Sequence, residues 1–270
     1  MTDQLIETYE DGIATFTMNR PEARNALTGE MLAALTPAVQ RAAADPKVRL
    51  VVLTGAGGAF CAGGDVKGFA ARTSGPAAAS NAGPSIEERV YGLRSGMEVS
   101  RWLHEMPKPT LAVIPGAAAG AGLSLALACD LRIAADDAKL TTAFSKVGLS
   151  GDYGGTYFLT HLIGAAKARE MYFTADVITG AEALRLGVVN RAVPRAELAQ
   201  AAGEWARYLA GLPTTAIGHI KRNLNAAEHA TLSELLDIEA QNMIRTQMTE
   251  DHKTAAAAFV AKTQPVFQGR

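Results

Sequence analysis

The chain has 270 residues, 48% hydrophobic and 20% charged, which suits one large α/β unit with an appendage and excludes a small stapled module. With 26 basic and 27 acidic residues the net charge is −1, so no overall field draws it to nucleic acid or an anionic membrane, and any anion site must be local. The two cysteines, Cys61 and Cys129, have neither metal-ligand nor C-x-x-C spacing, which excludes a disulfide framework and reads as buried reduced thiols.

The opening residues, MTDQLIETYEDG, carry acids where a signal peptide would carry a basic region and an apolar core. No apolar run reaches the roughly 18 residues of a membrane-spanning helix, so the expected location is the cytoplasm, with no membrane partner. Residues 4–9 and 13–18 alternate around Asp11-Gly12, a dipeptide suited to a tight hairpin, and predict two antiparallel strands. Residues 25–44 read as a helix with Met31, Leu35, Val39 and Ala42 on one face and Asp45-Pro46 as its stop; Pro37 inside it predicts a kink or a late start.

RLVVLTG (49–55) and TLAVIPG (110–116) are short β-rich runs, each ending in Gly and each followed by a small-residue turn and a helical pattern. Between them the Ala-, Ser-, Gly- and Pro-rich residues 71–85 predict a long mobile loop of the kind that often covers an active site. Residues 129–134 predict another strand, and after residue 154 the pattern is helical, with one strand-like interruption at 187–192.

Leu232, Leu235, Leu236, Ala240, Met243, Ile244 and Met248 recur at helical spacing, a stripe that needs a partner surface in this chain or in another subunit. Thr249, followed by Glu250 and Asp251, starts a last helix. Strands first and helices last predict a β-rich core over residues 1–200 and a helical region over 201–270.

The run PGAAAGAGLSLALACD (115–130) places seven consecutive Gly or Ala residues, Gly116 to Gly122, before an apolar stretch whose only uncharged polar side chain is Ser124. A strand that ends in small residues and enters a helix points free N–H groups at the positive end of the helix dipole, where negative charge binds. A dinucleotide fingerprint fails at its third glycine in both candidate turns, where Leu125 and Phe60 stand, and no P-loop pattern occurs. Gly122-Leu123-Ser124-Leu125-Ala126 comes within a methyl group of the hydrolase elbow, yet Ser124 lies eight residues beyond Gly116 instead of at the strand end. The third chemistry is enolate stabilisation, in which two N–H groups from separate turns hold one oxygen as it becomes negative.

On NRPEARNAL, AFCAGGDVKGF (59–69), PGAAAGAGLSLALACDLRIA, FSKVGLSGDYGGTYFLTHLIG and the terminal FVAKTQPVFQGR, the chain resembles the crotonase superfamily, the enoyl-CoA hydratase/isomerase family, over nearly its whole length. The resemblance implies an α/β fold of repeated ββα units, C-terminal helices that mediate homo-trimers, often paired as hexamers, and an acyl-CoA thioester substrate. It puts the two oxyanion-hole amides on Gly64 and Ala121, with the small residues admitting the thioester carbonyl and the pantetheine arm. It implies no prosthetic group, coenzyme A entering as part of the substrate.

The two glutamates used by the family's hydratases match Ser124 and Phe144, which disfavours hydration by the two-acid route. Asp152, in GLSGDYGG, matches the acid that Δ3,Δ2-enoyl-CoA isomerases and ring-epoxide isomerases commonly carry in P-D-x-G-G, with Gly151 in place of the proline. One carboxylate suffices for a double-bond isomerase, and burial beside an acyl chain would raise its pKa into a useful range. A helix-cap role is the plainer alternative for Asp152. Tyr153 supports it by a hydrogen bond or packs as an aromatic; Asp65 caps the helix after Gly64; Asp130 marks a helix end; Asp136 and Asp137 are turn residues; Glu87 and Glu88 are reserve acids.

For the coenzyme, the resemblance implies Arg24 and Lys67 at the nucleotide, a backbone group of Ala62 at the adenine, and Lys262 and Phe267 completing a neighbouring subunit's site. The five histidines form no ligand pattern, so no metal is expected. A hydratase using an unmatched acid, a CoA-ester binder without turnover and a serine hydrolase stay open as alternatives.

Overall fold

The computed structural model describes residues 2–64 and 83–270; Asp65, Lys67 and nearly all of the 71–85 segment lie outside the described residues. Strands β1 (Leu5–Glu10) and β2 (Ile13–Met18) pair antiparallel around Asp11-Gly12, both of which take the positive φ of a tight hairpin, 49° and 77°. Helix α1 (Gly29–Ala44) starts at Gly29 and not at Asn25, capped by the Thr28 hydroxyl accepting from Met31 N, and it keeps Pro37 inside. Its expected inner face is buried, whereas Asn25 is withheld from the helix by a positive φ of 57°.

In chain order there follow β3 (Leu50–Gly55), α2 (Ile86–Gly96), α3 (Glu98–Glu105), β4 (Thr110–Ile114), β5 (Ala118–Ala119), α4 (Ala121–Ala128), β6 (Leu131–Ala135) and β7 (Lys139–Thr141). The remainder comprises α5 (Gly155–Thr174), β8 (Ile178–Thr179), α6 (Gly180–Leu186), β9 (Arg191–Val193), α7 (Leu198–Ala210), α8 (Thr214–Ala227), α9 (Leu232–Gln247) and α10 (Glu250–Ala261). The larger sheet runs β1-β2-β3-β4-β6-β9, parallel from β2 onwards, and the smaller runs β5-β7-β8. The expected ββα repeat is present: β4-β5-α4 and β6-β7-α5 each send one strand to the larger sheet and a short one to the smaller before a helix.

Parallel strands buried on both faces need apolar side chains throughout, and Leu50, Val51, Leu53, Leu111, Ala112, Ile114 and Ile133 supply them. The interruption expected at 187–192 is displaced: Gly187 caps α6 at φ 83°, Val188 and Val189 are buried in the connection, and only Arg191–Val193 pairs. β8 was not anticipated, because two residues leave no periodicity to read.

Residue 200 falls inside α7, which packs on the larger sheet and buries Leu198, Ala202, Trp205, Ala206 and Leu209. Beyond it, α8 is tied down by Lys221, whose Nζ donates to the carbonyls of Leu103 and Lys108 and to Asp130 at 2.9 Å. Asp130 also accepts from the N–H and hydroxyl of Thr110, so one carboxylate joins α8, the start of β4 and the exit from α4. On α9 the apolar stripe is open: Leu232, Leu236, Met243 and Ile244 are exposed. Thr249 caps α10 as expected. The terminus then folds back, with Arg49 donating to the Phe267 carbonyl at 2.8 Å and buried Asp251 accepting from the Gln268 and Gly269 amides. Among the described residues no helix is long and apolar enough to cross a membrane.

Candidate active site

Two turns leave the C-terminal ends of β3 and β4. The first folds tightly because Gly55 has no side chain; a Cβ there would lie 2.1 Å from the Phe60 carbonyl oxygen and 2.3 Å from that of Ala59. Fully buried Asn25 braces it, donating to the Ala56 and Ala59 carbonyls, both at 2.9 Å. The chain then runs beside β5, where Ala119 N reaches the Cys61 carbonyl at 2.9 Å, and beside Leu27, whose N–H reaches the Gly63 carbonyl at 2.8 Å.

The small residues of the second turn have packing partners. A Cβ on Gly116 would meet the Gly58 carbonyl oxygen at 2.1 Å, and one on Gly122 would meet that of Cys61 at 2.4 Å. Gly116 and Gly122 thus let the two turns touch, a role the sequence reading gave to substrate. Gly63, at φ 92°, completes the contact: its Cβ position lies 3.5 Å from Ala121 N. Ala121 opens α4, so its N–H has no intrahelical acceptor. Among the described residues, neither the Gly64 nor the Ala121 amide donates to a backbone acceptor.

Every residue of α4 is buried. At its far end buried Arg132 donates to the Leu127, Cys129 and Val188 carbonyls, placing positive charge at the negative pole of the helix. Burial pushes both thiols, Cys61 and Cys129, up to about 12.

Asp152 sits in a strained turn that enters α5: Gly151, Tyr153 and Gly154 have φ of 111°, 52° and 75°. Proline cannot adopt φ 111°, so Gly151 gives this turn a path closed to the proline of the P-D-x-G-G pattern. The cap alternative for Asp152 finds no support, since the N-cap of α5 is Gly154 and no side chain caps the helix. Its Oδ1 is buried with no hydrogen-bond partner among the described residues, and burial alone pushes the carboxyl up to about 6. Tyr153 is a core side chain, with its hydroxyl 3.4 Å from the Cβ position of Gly96.

Ser124, expected at the first glutamate position, is 1% exposed and donates its one hydroxyl proton to the Gly120 carbonyl at 3.2 Å, not to a base, which removes the basis for a hydrolase. Phe144, expected at the second, stacks parallel on Tyr172 with centroids 6.1 Å apart. A cleft of about 1040 Å³ between α3, α5 and α8 is lined by Tyr153, Gly154, Met97, His104 and Phe158; Asp152, Gly64 and Ala121 do not line it.

Arg24 and Ala62 are brought together, Ala62 N donating to the Arg24 carbonyl at 2.9 Å, which commits that amide and leaves the Ala62 carbonyl. Phe267 is not brought to the turns, its carbonyl being held by Arg49, which precedes β3, whereas the first turn follows that strand; Lys262 closes α10 in the left-handed conformation, φ 54°. Glu87 and Glu88 are exposed in the first turn of α2, with Glu88 engaged in a capping box with Ser85. Among the described residues no three His, Cys, Asp or Glu side chains gather to hold a metal ion.

Two residues near these turns escaped sequence reasoning. Asn25 had a signal, an amide wedged between Arg24 and the apolar Ala26-Leu27; Tyr172, deep in the α5 pattern, had none.

The family model for enoyl-CoA hydratase/isomerase matches residues 8–270. The chain is 37% identical over 270 residues, 100% of each chain, to 1,2-epoxyphenylacetyl-CoA isomerase of Escherichia coli (strain K12). It is 33% identical to short-chain-enoyl-CoA hydratase of Clostridium acetobutylicum, covering 94% of this chain and 93% of that one. Among solved structures, an enoyl-CoA hydratase from Polaromonas sp. JS666 matches with a TM-score of 0.88 at 33% identity, covering 97% of this chain and 99% of that one. The paired sheets and their ββα repeats are therefore the crotonase fold, and the chain belongs to the enoyl-CoA hydratase/isomerase family.

Proposed function

We propose that the chain moves a double bond in an enoyl-CoA thioester, with the amides of Gly64 and Ala121 holding the thioester oxygen and Asp152 as the one acid–base group. The observation that carries this reading is the half-buried Asp152 carboxyl, whose Oδ1 is buried and unpartnered among the described residues and which burial pushes up to about 6, so that it is ionised yet basic near neutral pH. Asp152 takes a proton from C2, the electron pair delocalises onto the oxygen held by the two amides, and the same carboxyl returns the proton at C4. The proton count closes on one group, without a second acid, a water molecule or a prosthetic group.

Ser124 and Phe144 support isomerisation over hydration, because neither supplies a carboxylate where a hydratase of the family needs one. Arg24, the Ala62 carbonyl and Lys67 are proposed to hold the nucleotide part of the coenzyme, and Lys262 and Phe267 to reach a neighbouring subunit's site. A panel of 3-enoyl- and 2-enoyl-CoA esters followed by mass spectrometry and conjugation absorbance tests the reading. Conversion of 3-enoyl to 2-enoyl esters is expected. Formation of 3-hydroxyacyl esters alone would make the chain a hydratase, and thermal stabilisation by the esters without turnover would make it a binder.

The exposed stripe on α9, with Phe259 and Val260 open on α10, supports assembly as a homo-trimer or a pair of trimers. Light scattering should then give three or six times the 28.3 kDa chain mass. A monomer at working concentration would overturn this.

A further inference from the structure

A serine inside a helix commonly returns its hydroxyl to the carbonyl four residues earlier. Ser124 does so, and the carbonyl it reaches is Gly120, which also accepts from Ser124 N at 3.0 Å. The Gly120 carbonyl and the Ala121 N–H belong to one planar trans peptide unit, pointing in opposite directions. Ser124 therefore grips the far end of the amide assigned above to the thioester oxygen. Two donors on the carbonyl oxygen draw electron density toward it and make the N–H across the peptide a stronger donor, as linked hydrogen bonds polarise one another.

The line extends one residue further. A Cβ on Gly155 would lie 2.3 Å from Ser124 Oγ and 2.4 Å from the Tyr172 hydroxyl, so both oxygens occupy the space that glycine leaves open. The Tyr172 hydroxyl is thus a close neighbour of Ser124 Oγ. With its only proton given to Gly120, Ser124 Oγ has only acceptor capacity left to offer that neighbouring hydroxyl. The parallel stack on Phe144 holds the Tyr172 ring in place. Gly120 itself has φ 51° and ψ −127°, a backbone state that residues with a Cβ avoid, so its peptide plane depends on what grips it.

We propose that Ser124 and Tyr172 are positioning residues that form a hydrogen-bonded line, Tyr172 O–H to Ser124 O–H to the Gly120 carbonyl, which orients and strengthens the Ala121 arm of the oxyanion hole. Two positions matched to glutamates in the family's hydratases are thereby employed differently: Ser124 lies in the line and Phe144 props its outer end. The proposal rests on the reading of the Gly64 and Ala121 amides given above.

The test is the carbonyl stretch of a conjugated dienoyl-CoA bound to the full-length enzyme, measured by Raman difference spectroscopy alongside steady-state kinetics. The wild type should lower the stretch relative to the free ester. Ser124→Ala should lose much of that lowering and roughly 10-fold or more in kcat, with KM changed only about twofold, because the lost interaction strengthens as the oxygen gains charge. Ser124→Thr, which keeps a hydroxyl at the same place, should restore both. Tyr172→Phe should show a smaller change in the same direction and add nothing to Ser124→Ala. Full retention of stretch and kcat in Ser124→Ala would overturn the proposal while leaving the oxyanion hole standing; no lowering in the wild type would remove the oxyanion reading and this line with it. If Ser124→Ala does not fold, Tyr172→Phe decides, an unchanged stretch overturning the proposal.

Discussion

Asp152→Asn is expected to lower turnover by about 10³-fold or more while acyl-CoA affinity stays within a few-fold. The amide keeps the shape of the carboxylate but cannot take a proton, so binding and chemistry separate cleanly. Calorimetric titration with a CoA ester beside single-turnover kinetics would measure both, and unchanged turnover would remove Asp152 from the mechanism.

The pH dependence follows from the same burial. A base with its pKa at about 6 must lose its proton to work, so wild-type kcat/KM should rise as pH passes that value and level off above it. Stability runs the other way. Raised from 3.8 to about 6 in the folded chain, the carboxyl holds a proton that the unfolded chain has lost across that interval. Its contribution is most favourable below the interval and declines as pH rises through it, leaving a penalty at neutral pH. Asp152→Asn should therefore melt above the wild type at pH 8 and with it at pH 3. A variant that melts lower at pH 8 would show that the buried charge is compensated by a group this structure does not assign.

Gly122→Ala should cost about 2–4 kcal/mol and lower the melting temperature by roughly 5–10 °C. The added carbon would stand 2.4 Å from the Cys61 carbonyl oxygen, 2.6 Å from its Cβ and 2.8 Å from its carbonyl carbon, positions that no rotamer change relieves. Relief requires α4 to move off the first turn, which separates Ala121 from Gly64, so turnover should fall together with stability. Gly92→Ala in α2, where nothing lies within 4 Å of the new carbon, is the control and should be neutral or slightly stabilising. A Gly122→Ala protein that melts and turns over like the wild type would refute the close approach of the turns.

Local chemistry made the hairpin at Asp11-Gly12, the inner face of α1 and the strands β3 and β4 legible, because each combines one periodicity with one clear stop. Asp152 stood out in GLSGDYGG as a carboxylate among glycines, but its setting did not: three positive φ values around it and an Oδ1 buried without a partner among the described residues arise only once α5 and its neighbours have packed. The run Gly116 to Gly122 announced a close approach without naming the partner, since absent side chains fit a ligand and a backbone equally well. Ser124 looked like a vacated acid, and its hold on Gly120 needs the helix to be counted four residues back from a known start. Tyr172 was beyond reach, as nothing in its own segment distinguishes it from a core aromatic.

Helix α4 has no face to solvent, rests against the Cys61 carbonyl at one end and is clamped by Arg132 at the other. An eight-residue dipole so fixed cannot tilt to follow a guest. Any adjustment on docking must come from the guest or from other segments, and the cost of aligning dipoles is met during folding, before the first thioester arrives.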